Sequence, residues 1–361
     1  MSTLTQLLTP LTLGNIALQN RVIMAPMTRS RAGDDDLVSA LHVDYYRQRA
    51  SAGLIITEGV HPSPNGKGYC RTPGIYNPAQ VDAWRQVTDA VHAEGGKIVC
   101  QLMHCGRVGS PLNKAPGTEA VAPSAILCRE KIFTTQGMVE MSPPRALLTE
   151  EIDGIIEEYR QATKNAYAAG FDGVELHCTS GYLPAQFLAT GTNLRDDGYG
   201  GSLENRLRFV LEVLQAMIGV DGGGRVGLRI CPGNPFNDLV DADPEQTFSA
   251  LLGEVQGMSL AYLHVIRMAA TGLDNIALAK RCFSGPIIVN DSFDASEAEQ
   301  LLTEGNVAAV AFGRLFIANP DLVARMAQGE VYNKLQGRLL YSPGAEGYTD
   351  YPTLSSIDAA S

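Results

Sequence analysis

The sequence predicts a single (β/α)8 barrel, an α/β fold of the TIM type, and three observations carry that expectation. Eight short, continuously apolar runs recur along the chain: RVIMAP from Arg21, GLIITEG from Gly53, KIVCQL from Lys97, GVELH from Gly173, RVGLRI from Arg225, AYLHV from Ala261, PIIV from Pro286 and AAVAFG from Ala308. Unbroken apolarity marks parallel strands covered on both faces. Helix-period segments lie between the runs, and an eightfold strand–helix alternation in one chain is the pattern of a closed barrel. A doubly wound open sheet would carry a glycine-rich phosphate turn after its first strand, and none follows here.

The elements follow in order. LTLGNIALQN, ahead of the first strand, places two apolar runs around Gly14-Asn15, the signal of a β-hairpin that would plug the N-terminal face of the barrel. Helical periods run through PAQVDAWRQVTDAVHAEGG, TEEIDGIIEEYRQATKNAYAAG, LENRLRFVLEVLQAMIG, DPEQTFSALLGEVQG, ASEAEQLLTEG and NPDLVARMAQG, several closing on glycine. After strand three the alternation is broken by residues 105–145, an insert rich in Pro, Ser and Thr and placed to act as a lid. Residues 329–361 form a tail containing GAEGYTDYPTL, expected to fold back onto the barrel, so that 1–361 read as one domain.

Composition narrows the function. The 361 residues are 45% hydrophobic and 19% charged, with a formal net charge of -11, which fits a large core inside an acidic surface. That surface argues against nucleic acid and anionic membranes as partners. No apolar run approaches the roughly 20 residues of a membrane-spanning helix, and MSTLTQLLTPLTLGN lacks the pattern of a secretory signal, so a cytoplasmic monomer or homodimer is expected. Seven cysteines, an odd number without a CxxC pair, read as buried thiols rather than a disulfide framework or a zinc site.

In a barrel of this type chemistry gathers where strands end. The polar residues at those positions are Pro26, Met27, Thr28 and Arg29 after strand one, Glu58 after strand two, Gln101 and His104 after strand three, and His177, Ser180 and Tyr182 after strand four. Arg229 follows from strand five, Asn290, Asp291 and Ser292 from strand seven, and Gly313 and Arg314 from strand eight. All are expected to face one cavity. An amide, a guanidinium on strand five, and glycine with arginine after strand eight suit a planar polar cofactor bearing a phosphate. Taken singly, Glu58 and Gln101 read equally well as anchors of loop backbone, and Ser180 as a helix cap. No G-x-S-x-G elbow supports a serine nucleophile, and one histidine with Glu58 is too small a set for a metal, so no metal is expected.

Along nearly its whole length, the chain resembles the old yellow enzyme family of FMN-dependent ene-reductases. LTLGNIALQNRVIMAPMTRSRA, GYCRTPGIY, QLMHCGR, NLRDDGYGGSLENR, AFGRLFIANPDL and EGYTDYPTL carry the resemblance. It implies non-covalently bound FMN, NADPH or NADH as reductant, and a small α,β-unsaturated carbonyl compound as substrate. By the same resemblance Pro26, Met27 and Thr28 would bind the flavin, with Thr28 placing the chain in the threonine-containing branch. Gln101 and Arg229 would lie along the pyrimidine edge, and Gly313 and Arg314 at the phosphate. His177 and Ser180 would hold the substrate carbonyl, Tyr182 would protonate the α-carbon, and Tyr69 and Tyr348 would line the substrate pocket.

Three positions depart from the family pattern. Ser180 stands where asparagine or histidine is usual, Met103 stands where tryptophan is common, and VNDSFDA replaces a glycine-rich turn after strand seven. Met103 should make the pocket roomier and more adaptable. Phosphate contacts after strand seven would come from backbone amides and Ser292. The alternative reading is a flavin-binding homologue with a specialised biosynthetic role and weak activity on simple enones.

Overall fold

The computed structural model describes residues 4–33, 35–305 and 307–358. Eight parallel strands close into a barrel: Val22–Met24, Leu54–Ile56, Ile98–Leu102, Gly173–Cys178, Val226–Ile230, Tyr262–Ile266, Ile287–Asn290 and Ala309–Phe312. Each predicted run supplies one strand. Alternation along the strands sorts the side chains into two apolar populations. Ile23, Leu54, Ile56, Val99, Tyr262, Ile288, Ala309 and Ala311 point inward and form one cluster. Their neighbours Val22, Ile55, Cys100, Leu176, Leu228, Val265, Val289 and Val310 point outward into the larger core beneath the helices.

The predicted hairpin forms from Leu11–Leu13 and Ile16–Leu18, paired antiparallel with Leu13 opposite Ile16. Gly14 turns it at φ 55°, and a Cβ there would lie 2.3 Å from the carbonyl oxygen of Gly224, so only glycine fits. Leu13, Ile16 and Leu18 join the inward cluster and stop the barrel at its N-terminal end. The opposite, C-terminal end is therefore the mouth left for a ligand.

The long helices are Pro78–Ala93, Thr149–Ala168, Leu203–Ile218 and Pro244–Val255, with shorter ones at Ala295–Thr303 and Leu322–Gln328. Asn77, Ser202, Asp243 and Asp294 cap four of these, each side chain accepting from a backbone N–H three residues on. Two eight-residue helices, Ala40–Arg47 and Asn275–Cys282, were not expected from the sequence, nor were the five-residue helices Arg314–Ala318 and Leu354–Asp358. The insert holds more structure than its composition suggested. Lys131–Thr134 and Gly137–Glu140 form an antiparallel hairpin, and Val121–Ala122 pairs with Arg145–Ala146 to tie the ends of the insert together. All seven cysteines are free, and six of them are buried.

Candidate active site

A cavity of about 1490 Å³ opens at the C-terminal mouth of the barrel. Pro26, Met27, Thr28, Gln101, His177, Tyr182, Arg229, Asn290, Asp291, Ser292, Gly313 and Arg314 line it, with Tyr69 and Met103 among the walls. Strand register explains the meeting of the buried ones. His177 pairs with Arg229, Arg229 with His264, and Glu175 with Gln101, so inward positions on adjacent strands form level rows.

The floor is polar and almost dry. Gln101 Nε2 donates to Glu175 Oε1 at 2.7 Å, and His264 Nδ1 lies 2.9 Å from Glu175 Oε2. Arg229 Nη2 donates to Asn290 Oδ1 at 2.8 Å, and Asn290 Nδ2 donates to the carbonyl of Ala311. Arg229 Nε and His177 Nδ1, on the two cavity-lining residues at this level, are buried without a protein partner. Buried polar atoms are seldom left so, and both line a cavity that a polar ligand can enter. Burial, reinforced by Arg229 and His264, pulls the His177 pKa well below its ordinary value, so the imidazole is neutral at pH 7.

One wall carries a phenol pair. Tyr182 OH donates to Tyr69 OH at 3.0 Å, and Asn237 Nδ2 reaches Tyr69 OH at 3.4 Å and the carbonyl of Ser180 at 2.8 Å. The His177 ring meets Tyr182 edge-on with centroids 4.9 Å apart. Burial, with Tyr69 adjacent, pushes the Tyr182 pKa well above that of a free phenol. The proton is therefore retained until a stronger base takes it. At the far side Asp291 and Ser292 take left-handed φ values of 88° and 58°. Arg267 holds their two carbonyls. Arg314 is exposed at the cavity edge, and among the described residues it makes no hydrogen bond or ion pair, which leaves its charge available to an anion.

Five expected residues do not face the cavity, each for an identifiable reason. Glu58 is buried behind strand one, where Tyr46 OH donates to Oε1 at 3.4 Å and Arg29 N to Oε2 at 3.4 Å. It is corrected from a cofactor ligand to a buried anchor of the loop after strand one. Tyr348 is wholly buried, stacked on Tyr45 at 4.0 Å and covered by the guanidinium of Arg31 at 4.6 Å, so it is not a pocket residue. Arg29 itself donates to the carbonyls of Gly347 and Leu340, binding the tail rather than lining the cavity. His104 is buried, with Nδ1 accepting from the N–H of Gly106. Ser180 takes a left-handed φ of 57°, which turns its hydroxyl to Asn234 Nδ2 at 3.4 Å instead of toward the cavity. It does not cap a helix either, since the next helix begins at Leu183 with Tyr182 as its N-cap.

The reading missed the rim and the understorey. Phe133 and Met138 from the insert, Phe236 and Asn237 after strand five, and Arg338 and Tyr341 from the tail line the outer cavity. Nothing local in the sequence announces them. Glu175 and His264 were detectable: each is an ionisable residue inside an apolar strand, GVELH and AYLHV, where such residues are rare unless paired.

A barrel with this floor, an unpaired cation at the cavity edge and a neutral imidazole beside a phenol suits a flavin-dependent oxidoreductase. The residues present fit FMN, with unpartnered Arg229 Nε and the unpaired Arg314 as the main grounds. The profile of the NADH:flavin oxidoreductase / NADH oxidase family matches residues 6–333. The chain belongs to that family and is of the old yellow enzyme type, an FMN-containing oxidoreductase with NAD(P)H as reductant. It is 42% identical over 356 residues to a probable flavin mononucleotide-dependent alkene reductase of Leishmania infantum, covering 96% of this chain and 97% of that protein. Morphinone reductase in complex with tetrahydroNAD superposes with a TM-score of 0.91 at 45% identity, over 97% of this chain and 98% of that one. The old yellow enzyme homologue from Zymomonas mobilis gives a TM-score of 0.94 at 36% identity, over 97% and 100%. No helix of the described residues is long and apolar enough to cross a membrane.

Proposed function

We propose that the protein reduces the C=C bond of α,β-unsaturated carbonyl compounds, with Tyr182 as the proton donor. The observation that carries this is the pairing of His177 and Tyr182, a neutral imidazole and a phenol that retains its proton, with ring centroids 4.9 Å apart over the polar floor. When bound, FMN supplies the hydride, taken from NADPH or NADH. All lining the same cavity, Gln101 and Arg229 would hold the pyrimidine side of the ring, Pro26, Met27 and Thr28 would lie along it, and Gly313, Arg314, Asp291 and Ser292 would hold the phosphate. His177 donates to the substrate carbonyl oxygen, which drains electron density from the β-carbon. Tyr182 then gives its proton to the α-carbon, and the Tyr69 hydroxyl, 3.0 Å away, can donate to the phenolate left behind.

Two features favour bulky substrates within this reading. Ser180 offers no second donor to the carbonyl, so the grip on a small enone rests on His177 alone. Met103 lies flat against Gly59, where a Cβ would meet its Sδ at 2.5 Å, and this leaves the wall open. The activity is tested by anaerobic stopped flow on FMN-loaded protein. Tyr182→Phe should leave reduction by NADPH or NADH nearly unchanged and slow re-oxidation by 2-cyclohexenone by about 10²–10⁴-fold. Equal slowing of both halves would assign Tyr182 a structural role and overturn the proposal.

A further inference from the structure

Glu175 is a charge that the proposed reaction does not use. Its carboxylate is wholly shut off from solvent, two residues before His177 on the same inward face of strand four. Burial opposes its ionisation, but His264, Arg229 and Gln101 outweigh burial and hold its pKa below the ordinary carboxylate value. An ionised carboxylate only accepts hydrogen bonds. Gln101 must therefore turn its amide nitrogen to Glu175, which leaves its carbonyl oxygen as what it offers the cavity. Arg229, on the neighbouring strand, offers only donors. The floor thus presents one acceptor and one donor in fixed order, and the charge of Arg229 is partly countered from below.

We propose that Glu175 is a positioning residue that fixes the donor–acceptor order of Gln101 and Arg229 and, through its charge, lowers the reduction potential of the FMN they hold. This rests on placing the pyrimidine side of FMN against Gln101 and Arg229. A negative charge beneath Gln101 and Arg229 would disfavour the electron-rich reduced form of a flavin they hold, and in a dry site it is little screened. With a neutral residue in its place, Arg229 would act uncompensated and Gln101 could turn its amide either way.

The experiment measures the midpoint potential by dye equilibration, and FMN affinity by titrating the apoprotein, for three variants of the full chain. Glu175→Gln should raise the reduced-to-oxidised ratio at a fixed poise about tenfold, which is about 30 mV for a two-electron couple. It should also weaken FMN binding severalfold. Glu175→Asp keeps the charge but withdraws it from Gln101, so the potential should stay within about twofold of the parent in that ratio while FMN affinity still falls. An unchanged potential in Glu175→Gln, a shift in Glu175→Asp as large as in Glu175→Gln, or undiminished FMN affinity in Glu175→Asp would overturn the proposal. If the Gln variant does not fold, Glu175→Met, neutral and of similar length, replaces it for the potential, while Glu175→Asp still tests the affinity. Arg229→Gln separates the underlying placement: if it alters neither potential nor affinity, the ring does not lie where the proposal needs it.

Discussion

The floor of the cavity and its rim are built on opposite principles. Gln101, His177, Arg229 and Asn290 project from barrel strands and are almost removed from water, and all but His177 bond to one another or to the residues beneath. Phe133, Met138, Phe236 and Tyr341 come from the insert, the loop after strand five and the tail, and remain 47%, 60%, 57% and 58% exposed. A floor side chain is held by its strand and by its bonded neighbours, whereas a rim side chain moves with its loop. Reaction chemistry is thereby separated from substrate choice. Substitutions in the floor should change rate or potential, and substitutions in the rim should change which substrates are taken.

The largest expected effect divides two tyrosines of the tail. Tyr348 is buried in a stack with Tyr45 under Arg29 and Arg31, while Tyr341 lies at the rim. Tyr348→Ala should cost about 3–5 kcal/mol of stability by opening a cavity in the stack. Tyr341→Ala should cost under about 0.5 kcal/mol. Thermal or urea unfolding measures both. Similar losses would mean that the tail is held as firmly at the rim as at its root. Tyr348→Phe should be nearly silent, because Tyr348 OH has no partner to lose.

Next comes His177 against Ser180. His177→Ala should lower turnover of 2-cyclohexenone by about 10²–10³-fold, the cost of one preorganised donor to a developing oxyanion. Ser180→Ala should change it less than about twofold, since that hydroxyl meets only Asn234. Steady-state rates decide. A large Ser180 effect would show that its side chain swings into the cavity when substrate binds.

These two pairs show where the sequence was legible and where it was not. The barrel could be read because buried parallel strands leave unbroken apolar runs, and each run became a strand. The site's location followed from the strand ends. Direction did not: Glu58 follows strand two and Gln101 lies near the end of strand three, yet Tyr46 draws Glu58 out of the cavity while Glu175 keeps Gln101 in it. Those partners lie 12 and 74 residues away, so no local pattern encodes the outcome. Tyr348 failed in the same way, since the path of the tail is set by Arg29 and Arg31, some 300 residues upstream, bonding its carbonyls.

A third test uses that buried Glu58. Burial raises its pKa from 4.5 to about 7 despite the N–H and charge of Arg29. The native state therefore keeps a proton that the unfolded chain releases, and this contribution to stability falls as pH rises from 4.5 through about 7. Glu58→Gln cannot ionise. Its stability relative to the parent should rise by about 3 kcal/mol between pH 4 and pH 8. A difference independent of pH, measured by urea unfolding across that range, would mean that Glu58 titrates in the folded protein as it does in the unfolded chain, so that burial does not raise its pKa.

The smallest effect belongs to the rim, and it is the sharpest test of the division. Phe133 and Met138 face each other across the insert hairpin, in register and half out of water at the cavity mouth. No hydrogen bond or ring contact among the described residues joins either to His177 or Tyr182, so Met138→Ser should leave kcat for 2-cyclohexenone unchanged. For a bulky apolar enone that reaches the mouth, losing this contact removes up to about 1 kcal/mol of binding, and KM should rise about threefold to fivefold. Such a loss is shared by ground state and transition state, so it appears in KM and not in kcat. If kcat for the small enone fell as well, the hairpin would be coupled to the floor, and the rim would take part in the chemistry as a closing element rather than as a selector of size.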